Sequence, residues 1–433
     1  MSEEIVAIPL LQPSAGTPEI IDTEESFRNA VEQLTTGSGP FAVDAERASG
    51  FRYSARAYLI QIKRADGGLH LIDPIPFGPG HKLFSDLNDL LNSDEVILHA
   101  STQDLPCLIE VGLKPKQLFD TELGARIAGC PRVGLGALAE SLLELQLAKE
   151  HSAVDWSIRP LRPEWITYAA LDVDILLDIR DKVEQLLTEQ KKLKWAEQDF
   201  ASIIKNYQDY QFSDSPKSDR WRRTSGMHKV RDRLSMTIIR DLWLSRDELA
   251  RELDLAPGRV LGDEAIVELA IKRPDNLEEV AKVIGWRTRL EAPPFSRWLK
   301  VLTASLKTPI EEQVELRVAS QSMPPIKIWK EKNPLGYARL THARAALIEL
   351  SKQLQIPTEN LITPDYVKRI CWQDPPTNVS EYESFVEGEL TRLGARSWQV
   401  EQVVSVIAPH LSATEALVVP ESAEAENEAS VAP

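Results

Sequence analysis

Short runs of apolar and β-branched residues alternate with turn-forming residues early in the chain. Phe41 to Glu46, Tyr58 to Lys63 and Leu69 to Asp73 are three such runs, and the turn Asp66-Gly67-Gly68 separates the last two. Runs of this length between turn residues are typical of strands, and the glycine-rich turn favours a hairpin. The sequence therefore predicts an antiparallel meander at the start of the first folded domain.

The pattern changes after the meander, where helical spacing alternates with short strands. His81 to Leu91 and Thr102 to Val111 have helical spacing, whereas Val96 to His99 and Leu118 to Asp120 are brief apolar runs. A long helix is predicted from Pro163, in its first turn, towards Leu187. This order is typical of an α/β domain, so we expect a mixed sheet in which the antiparallel meander continues into parallel strands.

The second half of the chain carries helical spacing throughout. Apolar residues line one helical face early in this half, namely Leu234, Ile238, Leu242, Leu249 and Leu253. A similar outline returns about a hundred residues later, between Leu340 and Ile362, with Ile356-Pro357 where the first copy has Ala256-Pro257. The sequence therefore predicts a divergent internal repeat of an all-helical domain.

A chain of 433 residues exceeds what one ordinary core supports, so two or three domains are expected. Linkers are predicted where polar residues and proline concentrate, and the end of the chain holds five glutamates and no basic residue. The predicted segments are an amino-terminal extension (1–24), an α/β domain (25–205), a linker (206–220), a helical domain (221–305), a second linker (306–334), a divergent helical domain (335–411) and an acidic disordered tail (412–433).

The net charge of −16 argues against a protein that coats nucleic acid with its whole surface. Charge is locally positive, however, between Lys217 and Arg233, where seven basic residues stand against two acidic ones. An ordinary solvated face is the alternative interpretation of this stretch. Because it leads into the helical half, we expect contacts with nucleic acid from four of its residues, Arg222, Arg223, Lys229 and Arg231.

Several classes of protein are disfavoured by what the sequence lacks. No apolar run approaches the roughly 20 residues that cross a bilayer, and the amino terminus has neither the basic start nor the long apolar stretch of a secretory signal. A cytoplasmic protein is therefore expected. The three scattered cysteines favour neither a disulfide framework nor a zinc site, and the absence of a Gly-x-x-x-x-Gly-Lys-Ser/Thr motif argues against a helicase.

Two acidic residues follow the apolar start of the first predicted strand. In a strand with a period of two, Asp44 and Glu46 lie on the same face, roughly 7 Å apart along the backbone, so both carboxylates can reach one ion. A solvated face is the alternative. The apolar run before the pair favours a central strand, beside which ionised groups are costly unless they are paired or bound to metal.

Three further residues complete a candidate site. Asp104 follows a predicted strand, where ligands gather in open α/β sheets, although a helix N-cap is the alternative role. Tyr168 and Asp172 are four residues apart on a predicted helix and therefore share one face. An ordinary amphipathic helix is the alternative here. Asp174 is a nearby competitor that points away from Tyr168, so Asp172 is assigned to the site.

In this order and spacing, the motifs Asp44-x-Glu46, Asp104 and Tyr168-x-x-x-Asp172 resemble those of DEDDy-type 3′-5′ exonucleases. Five further stretches are similar to the RNase D family, namely Tyr58-Leu59-Ile60-Gln61-Ile62, Leu71-Ile72-Asp73-Pro74, His99 with Gln103-Asp104-Leu105, Phe119-Asp120-Thr121, and Asp155-Trp156-Ser157-Ile158-Arg159-Pro160-Leu161. The resemblance covers residues 40 to 185. The region from Leu242 to Pro274 is similar to an HRDC domain, whereas the second helical copy lacks its Trp-x-x-Arg-Asp element.

The resemblance implies an RNase H-like fold and 3′-to-5′ hydrolysis of single-stranded RNA ends, such as those of tRNA precursors, to nucleoside 5′-monophosphates. Four converging carboxylates of Asp44, Glu46, Asp104 and Asp172 favour two divalent cations, Mg²⁺ or Mn²⁺, about 4 Å apart. By similarity to the family, Asp44 would bridge the two cations, Asp104 would act through water, and Tyr168 would position the attacking water.

Two residues of the loop at 155–161 are further candidates for nucleic-acid contacts. Arg159 could touch a phosphate or anchor its loop, and Trp156 could stack on a base or pack in the core. Two rival functions also stay open at this point. One is a DNA exonuclease with the same chemistry, since no motif reports contacts to the 2′-hydroxyl. The other is a binding protein that has kept the fold without catalysis.

Overall fold

The computed structural model describes residues 7–147, 154–211, 219–285, 294–316 and 323–417. Parts of the predicted extension, of both linkers and of the acidic tail, together with Lys217, lie outside the described residues. The strands are β1 (Ile8–Leu10), β2 (Ile20–Ile21), β3 (Ser38–Arg47), β4 (Ala57–Ala65), β5 (Gly68–Ile72), β6 (Val96–Leu98), β7 (Leu118–Asp120) and β8 (Leu145–Leu147).

Eight helices accompany these strands in the first domain. They are α1 (Glu24–Thr36), α2 (Lys82–Leu91), α3 (Leu105–Val111), α4 (Thr121–Ile127), α5 (Leu135–Leu143), α6 (Pro163–Asp174), α7 (Leu176–Glu189) and α8 (Leu193–Tyr207). Capping follows the local sequence at several ends. The Thr23 side chain accepts a hydrogen bond from the backbone N–H of Ser26 at the start of α1. The Asp120 side chain accepts one from the backbone N–H of Leu123 at the start of α4.

A six-stranded mixed sheet organises the first domain, in the order β2-β5-β4-β3-β6-β7. Strands β3, β4 and β5 form the expected antiparallel meander, whereas β3 pairs in parallel with β6, and β6 with β7. The mixed sheet predicted from the sequence is thereby confirmed. Strand β2 pairs with β5 from within the segment predicted as an extension, and β1 forms a separate pair with β8.

The two faces of the meander are covered by different helices because residues alternate along each strand. On β4, Ile60 and Ile62 are buried in the larger core, to which α1 contributes Phe27. Leu59 points the other way, into a smaller core that contains Trp165 and other residues of α6. Helix α6 therefore lies across the face of the sheet that also carries Asp44 and Glu46.

The predicted long helix from Pro163 towards Leu187 is wrong in one respect, since it is broken at Ile175 into α6 and α7. The break has a tertiary cause. Lys63 of β4 donates to both the backbone carbonyl and the side-chain carboxylate of Asp174, the last residue of α6. The Asp174 carbonyl oxygen thus accepts a hydrogen bond from Lys63, whereas in a continuing helix it would accept one from a backbone N–H of the next turn.

The second half of the chain is wholly helical in its described part, as expected. The first group of helices comprises α9 (Arg233–Glu252), α10 (Pro257–Val260), α11 (Asp263–Lys272), α12 (Leu277–Ile284) and α13 (Phe295–Ser305). The second group comprises α14 (Trp329–Lys332), α15 (Pro334–Leu354), α16 (Thr358–Leu361), α17 (Pro364–Trp372), α18 (Tyr382–Leu393) and α19 (Ser397–Ile407). In both groups a helix of about twenty residues is followed by a four-residue helix that begins at or just after a proline, as the repeat predicts.

The two helical groups contact the first domain differently. The second group shares an apolar core with it, and the Trp398 indole donates to Asp199 of α8 at 2.7 Å. The first group contacts the loop that follows β3, where the Tyr53 hydroxyl donates to Asp247 at 2.9 Å and the Ser54 backbone donates to Asp254 at 3.0 Å. The described part of the chain contains no helix that combines the length and the apolar character of a membrane-spanning segment.

Candidate active site

Strand β3 places two carboxyl groups on the face covered by α6. Its segment Phe41 to Val43 is buried and lies between β4 and β6, so the strand is central, as the apolar run predicts. Asp44 and Glu46 then emerge on the same face, opposite Gln61 and Leu59 of β4. Because Glu46 is only 9% exposed, the solvated-face alternative does not describe this pair.

Helix α6 brings a third carboxyl group to the same place. Carboxylate oxygens of Asp44, Glu46 and Asp172 lie within 4.8 Å of one another. The Tyr168 hydroxyl, one turn earlier on α6, forms a hydrogen bond with Asp172. The spacing of four residues therefore does place the phenol and the carboxylate together. Asp174, the competitor, is instead paired with Lys63 at 2.8 Å.

Asp104 completes the group from the start of α3. It occupies the N-cap position, but its side chain makes no capping hydrogen bond, so the structure does not support the alternative role. Its carboxyl group instead shares a hydrogen bond with Asp44 and lies 3.6 Å from the Arg47 guanidinium. The structure thus brings together all five residues that the motifs predict.

Burial and mutual repulsion make these acids weak in the absence of a cation. Burial is the main cause that raises the pKa of Asp44, and it raises the pKa of Glu46 and Asp104 well above their ordinary values. The neighbouring carboxylates Asp44 and Asp172 add to the effect on Glu46. Arg47 opposes these shifts, but one guanidinium does not balance four acids. A divalent cation is the natural counter-charge for such a group.

Tyr168 is constrained by the same surroundings. Burial, followed by the charges of Asp172 and Glu46, raises its pKa far above the ordinary value for a phenol. The hydroxyl group therefore stays protonated at any physiological pH and acts as a hydrogen-bond donor. It is suited to orienting a neighbouring oxygen atom and not to removing a proton.

The carboxyl groups line an open cleft of about 1100 Å³. Sequence reasoning assigned no role to several residues that also line it, including Arg47, His99, Gln103 and the start of α5 at Gly134. Position was a usable signal for His99, which comes directly after β6, at the end of a strand. Its imidazole contacts the Thr121 hydroxyl at 2.9 Å, and burial lowers its pKa, so the ring is neutral.

Trp156 and Arg159, the two candidates in the loop at 155–161, both make contacts within the protein. Trp156 is 0% exposed and packs beside Trp165, so it cannot stack on a base. The Arg159 guanidinium donates twice to Asp73, at 2.6 and 2.9 Å, and also to the carbonyl oxygens of Tyr58 and Trp156. The burial of Trp156 corrects the expectation that it stacks on a base. Arg159 anchors its loop, the alternative considered above, and because the residue is exposed its contact with a phosphate stays a prediction.

The basic stretch lies apart from the cleft. Within the described part of the chain, Arg222, Arg223, Lys229 and Arg231 are not among the residues that line it. Arg222 stacks on Trp221 with its guanidinium 4.2 Å from the ring centre and donates to the backbone of residue 315. Arg223 and Lys229 are exposed to solvent. Contact with nucleic acid by these residues therefore stays a prediction.

A mixed sheet with this strand order, carrying a carboxylate cluster under a crossing helix, defines an RNase H-like 3′-5′ exonuclease domain, here followed by a helical HRDC domain and a further helical region. Family models agree with that class: a 3′-5′ exonuclease model matches residues 18–188, an HRDC domain model matches 235–290, and a model of a 3′ to 5′ exonuclease C-terminal domain matches 322–411. The chain belongs to the ribonuclease D family.

Individual proteins that are similar to this chain support the family assignment. A ribonuclease D from Gluconacetobacter diazotrophicus is 30% identical over 278 residues, which make up 63% of this chain and 68% of that protein. The crystal structure of a protein from Bifidobacterium adolescentis has a TM-score of 0.84 and 34% identity, covering 94% of this chain and 99% of that one. Ribonuclease D of Escherichia coli shares the fold, with a TM-score of 0.62 and 22% identity over 91% of this chain and 98% of that one.

These comparisons establish the coarse activity. The chain is a 3′-5′ exoribonuclease, a hydrolase of a family that depends on divalent metal, and its HRDC domain and family imply that it binds RNA. The residues at the site fit such a metal, since the carboxylate oxygens of Asp44, Glu46 and Asp172 lie close enough together to share an ion. Oxygen ligands of this kind favour hard divalent cations.

Proposed function

We propose that the chain removes nucleotides one at a time from RNA 3′ ends with two divalent cations, Mg²⁺ or Mn²⁺, and releases nucleoside 5′-monophosphates. The observation that carries the proposal is the group of carboxylates of Asp44, which is half-buried, and of Glu46 and Asp172, which are buried; their oxygen atoms lie within 4.8 Å of one another. Asp104, hydrogen-bonded to Asp44, supplies the fourth carboxyl group. Four acids exceed what one cation would need for charge balance.

Each residue of the site has a proposed role. Asp44, Glu46 and Asp172 would hold the cations, with Asp44 shared between both, and Asp104 would support the second one. Bound divalent cations supply an activated water and stabilise the leaving oxygen in phosphodiester hydrolysis. Tyr168, held as a neutral phenol beside Asp172, donates a hydrogen bond that orients the attacking water.

The substrate is proposed to be single-stranded RNA 3′ ends, including those of tRNA precursors. Family membership supports RNA, and the E. coli relative is described as an exoribonuclease involved in structured RNA processing. We further propose that residues 25–205 form the nuclease domain, and that residues 221–305 and 335–411 form helical domains that help to hold RNA. The matched HRDC region supports the first of these helical domains.

The test is incubation of the pure chain with end-labelled RNA and Mg²⁺, reading product length over time. Stepwise shortening from the 3′ end, with release of nucleoside 5′-monophosphates, is the expected result. A matched DNA strand tests the rival DNA exonuclease, which requires faster cleavage of DNA than of RNA. Asp44→Asn is the control for a contaminating nuclease, and RNA binding without metal-dependent product would leave only the non-catalytic alternative.

A further inference from the structure

Gln61 of β4 is a polar side chain that the active site as described so far does not use. It is 0% exposed, and both its Nε2 and its Oε1 lack a hydrogen-bond partner. In the described part of the chain it is the one buried side chain with two such atoms. Burying an amide without partners costs free energy, so a fold that keeps one needs a reason other than stability.

The neighbours of Gln61 on its face of the sheet indicate why the unpaired amide is kept. Along β4 they are Leu59, which is apolar, and Lys63, which is engaged with Asp174. Across the sheet, Gln61 lies opposite Leu71 of β5 on one side and opposite Asp44 of β3 on the other. Among these neighbours within the sheet, Asp44 is the side chain that can accept a hydrogen bond from the amide.

Asp44 is also within reach. Directly opposed residues of antiparallel strands have Cβ atoms about 5 Å apart, a gap that a glutamine amide spans by side-chain rotation alone. A carboxylate has about four acceptor positions, so the hydrogen bond that Asp44 shares with Asp104 leaves room for another donor. Groups that donate to a metal-binding carboxylate fix its orientation and raise its affinity for the ion.

We propose that Gln61 is a positioning residue of the cation site: when a cation binds, the side chain rotates, and its Nε2 donates to the Asp44 carboxylate and holds it in the orientation that binds the ion. The inference rests on the proposed function and adds a residue to it. Gln61 touches neither RNA nor cation and acts through Asp44. The orphaned amide is thus a cost to the stability of the cation-free protein that is retained for the geometry of the site.

The test compares Gln61→Met, which keeps the length of the side chain and removes the donor, with wild type and with Leu71→Met. The control replaces the other cross-strand neighbour of Gln61 by the same residue type. Binding of Mn²⁺ alone is measured by titration calorimetry, melting temperature is measured without cation, and kcat and KM are measured on an oligoribonucleotide.

We expect the substitution to weaken cation binding without lowering the stability of the protein. Gln61→Met should melt at or above the wild-type temperature, because an orphaned amide has been removed, yet its Mn²⁺ dissociation constant should rise roughly 10-fold. The value of kcat at limiting cation should fall in parallel, with KM for RNA unchanged. Leu71→Met should match wild type in cation binding.

A dissociation constant within twofold of wild type overturns the proposal, whichever way the melting temperature moves. Should Gln61→Met fail to fold, Gln61→Leu takes its place, and failure of both would assign the amide to folding and also overturn the proposal. Wild-type protein that binds no Mn²⁺ would instead refute the proposed cation site itself. The two failures are therefore distinguishable.

Discussion

Two buried acids of α6, Asp172 and Asp174, have opposite electrostatic surroundings. Asp174 is neutralised by a fixed cation, since the Lys63 ammonium lies 2.8 Å from its carboxylate and the Ser14 backbone donates to it at 2.9 Å. Asp172, two residues earlier, instead lies among the carboxylates of Asp44 and Glu46 at the cleft. The comparison separates an acid that stabilises the fold from the acids that we propose bind divalent cations.

Replacing Asp172 and Asp174 one at a time should give the largest expected difference in effect between the two acids. Asp172→Asn should lower kcat by at least about 100-fold, because loss of a cation ligand costs more than loss of a residue that supports one. Its fold should be as stable as wild type, since one repelling charge has been removed. The measurement is RNA hydrolysis with Mg²⁺ together with a melting curve.

Asp174→Asn is the matched variant. It should destabilise the fold by up to about 3 kcal/mol, at the low end for a broken buried pair because Lys63 is 22% exposed. Its kcat, measured where the protein is still folded, should stay close to wild type. Equal losses of activity in the two variants would contradict the division of roles between the two acids.

The effect of pH should sharpen the same contrast. In the cation-free protein, the raised pKa values of Asp44, Glu46 and Asp104 mean that the folded state holds protons which the unfolded chain has released. Stability from these groups is therefore complete below their ordinary pKa values of 3.8 and 4.5, and it is lost as pH rises through the raised values.

Cations compete with those protons, so added Mg²⁺ should raise the melting temperature more at about pH 8 than at about pH 5. The measurement is the melting temperature with and without excess Mg²⁺ across that range. Asp44→Asn, which lacks one of the coupled acids, should show a smaller rise. A rise that is the same at all pH values would rule out this competition.

A substitution of Arg159 tests a second acid, Asp73, that a fixed cation neutralises. Arg159→Ala leaves the buried Asp73 carboxylate without its guanidinium, so it should destabilise the first domain by about 1–3 kcal/mol. Because the guanidinium is already engaged by Asp73 and by backbone carbonyl oxygens, KM for RNA should change less than twofold. The readouts are denaturant unfolding and steady-state kinetics, and a large rise in KM with an intact fold would restore the phosphate contact.

The smallest effect is expected from the basic stretch. Neutralising Arg223 and Lys229, both exposed, should weaken RNA binding a few-fold and flatten its dependence on salt, because fewer counterions are then released. Binding of a labelled oligoribonucleotide at several salt concentrations measures this. Affinity that is unchanged at every concentration would show that these residues form an ordinary solvated face.

The sequence by itself determined which residues share a face. The period of two placed Asp44 beside Glu46, and the spacing of four placed Tyr168 beside Asp172, because strand and helix geometry depend on neighbours along the chain. The alternation of strands and helices likewise predicted the mixed sheet.

Only the tertiary structure decided what those faces meet. It paired Asp174 with Lys63, 111 residues away, and broke the helix at Ile175; it buried Trp156 and left the Gln61 amide without a partner beside Asp44. Burial, ion pairing and hydrogen-bond satisfaction depend on segments distant along the chain, whose approach no local pattern specifies.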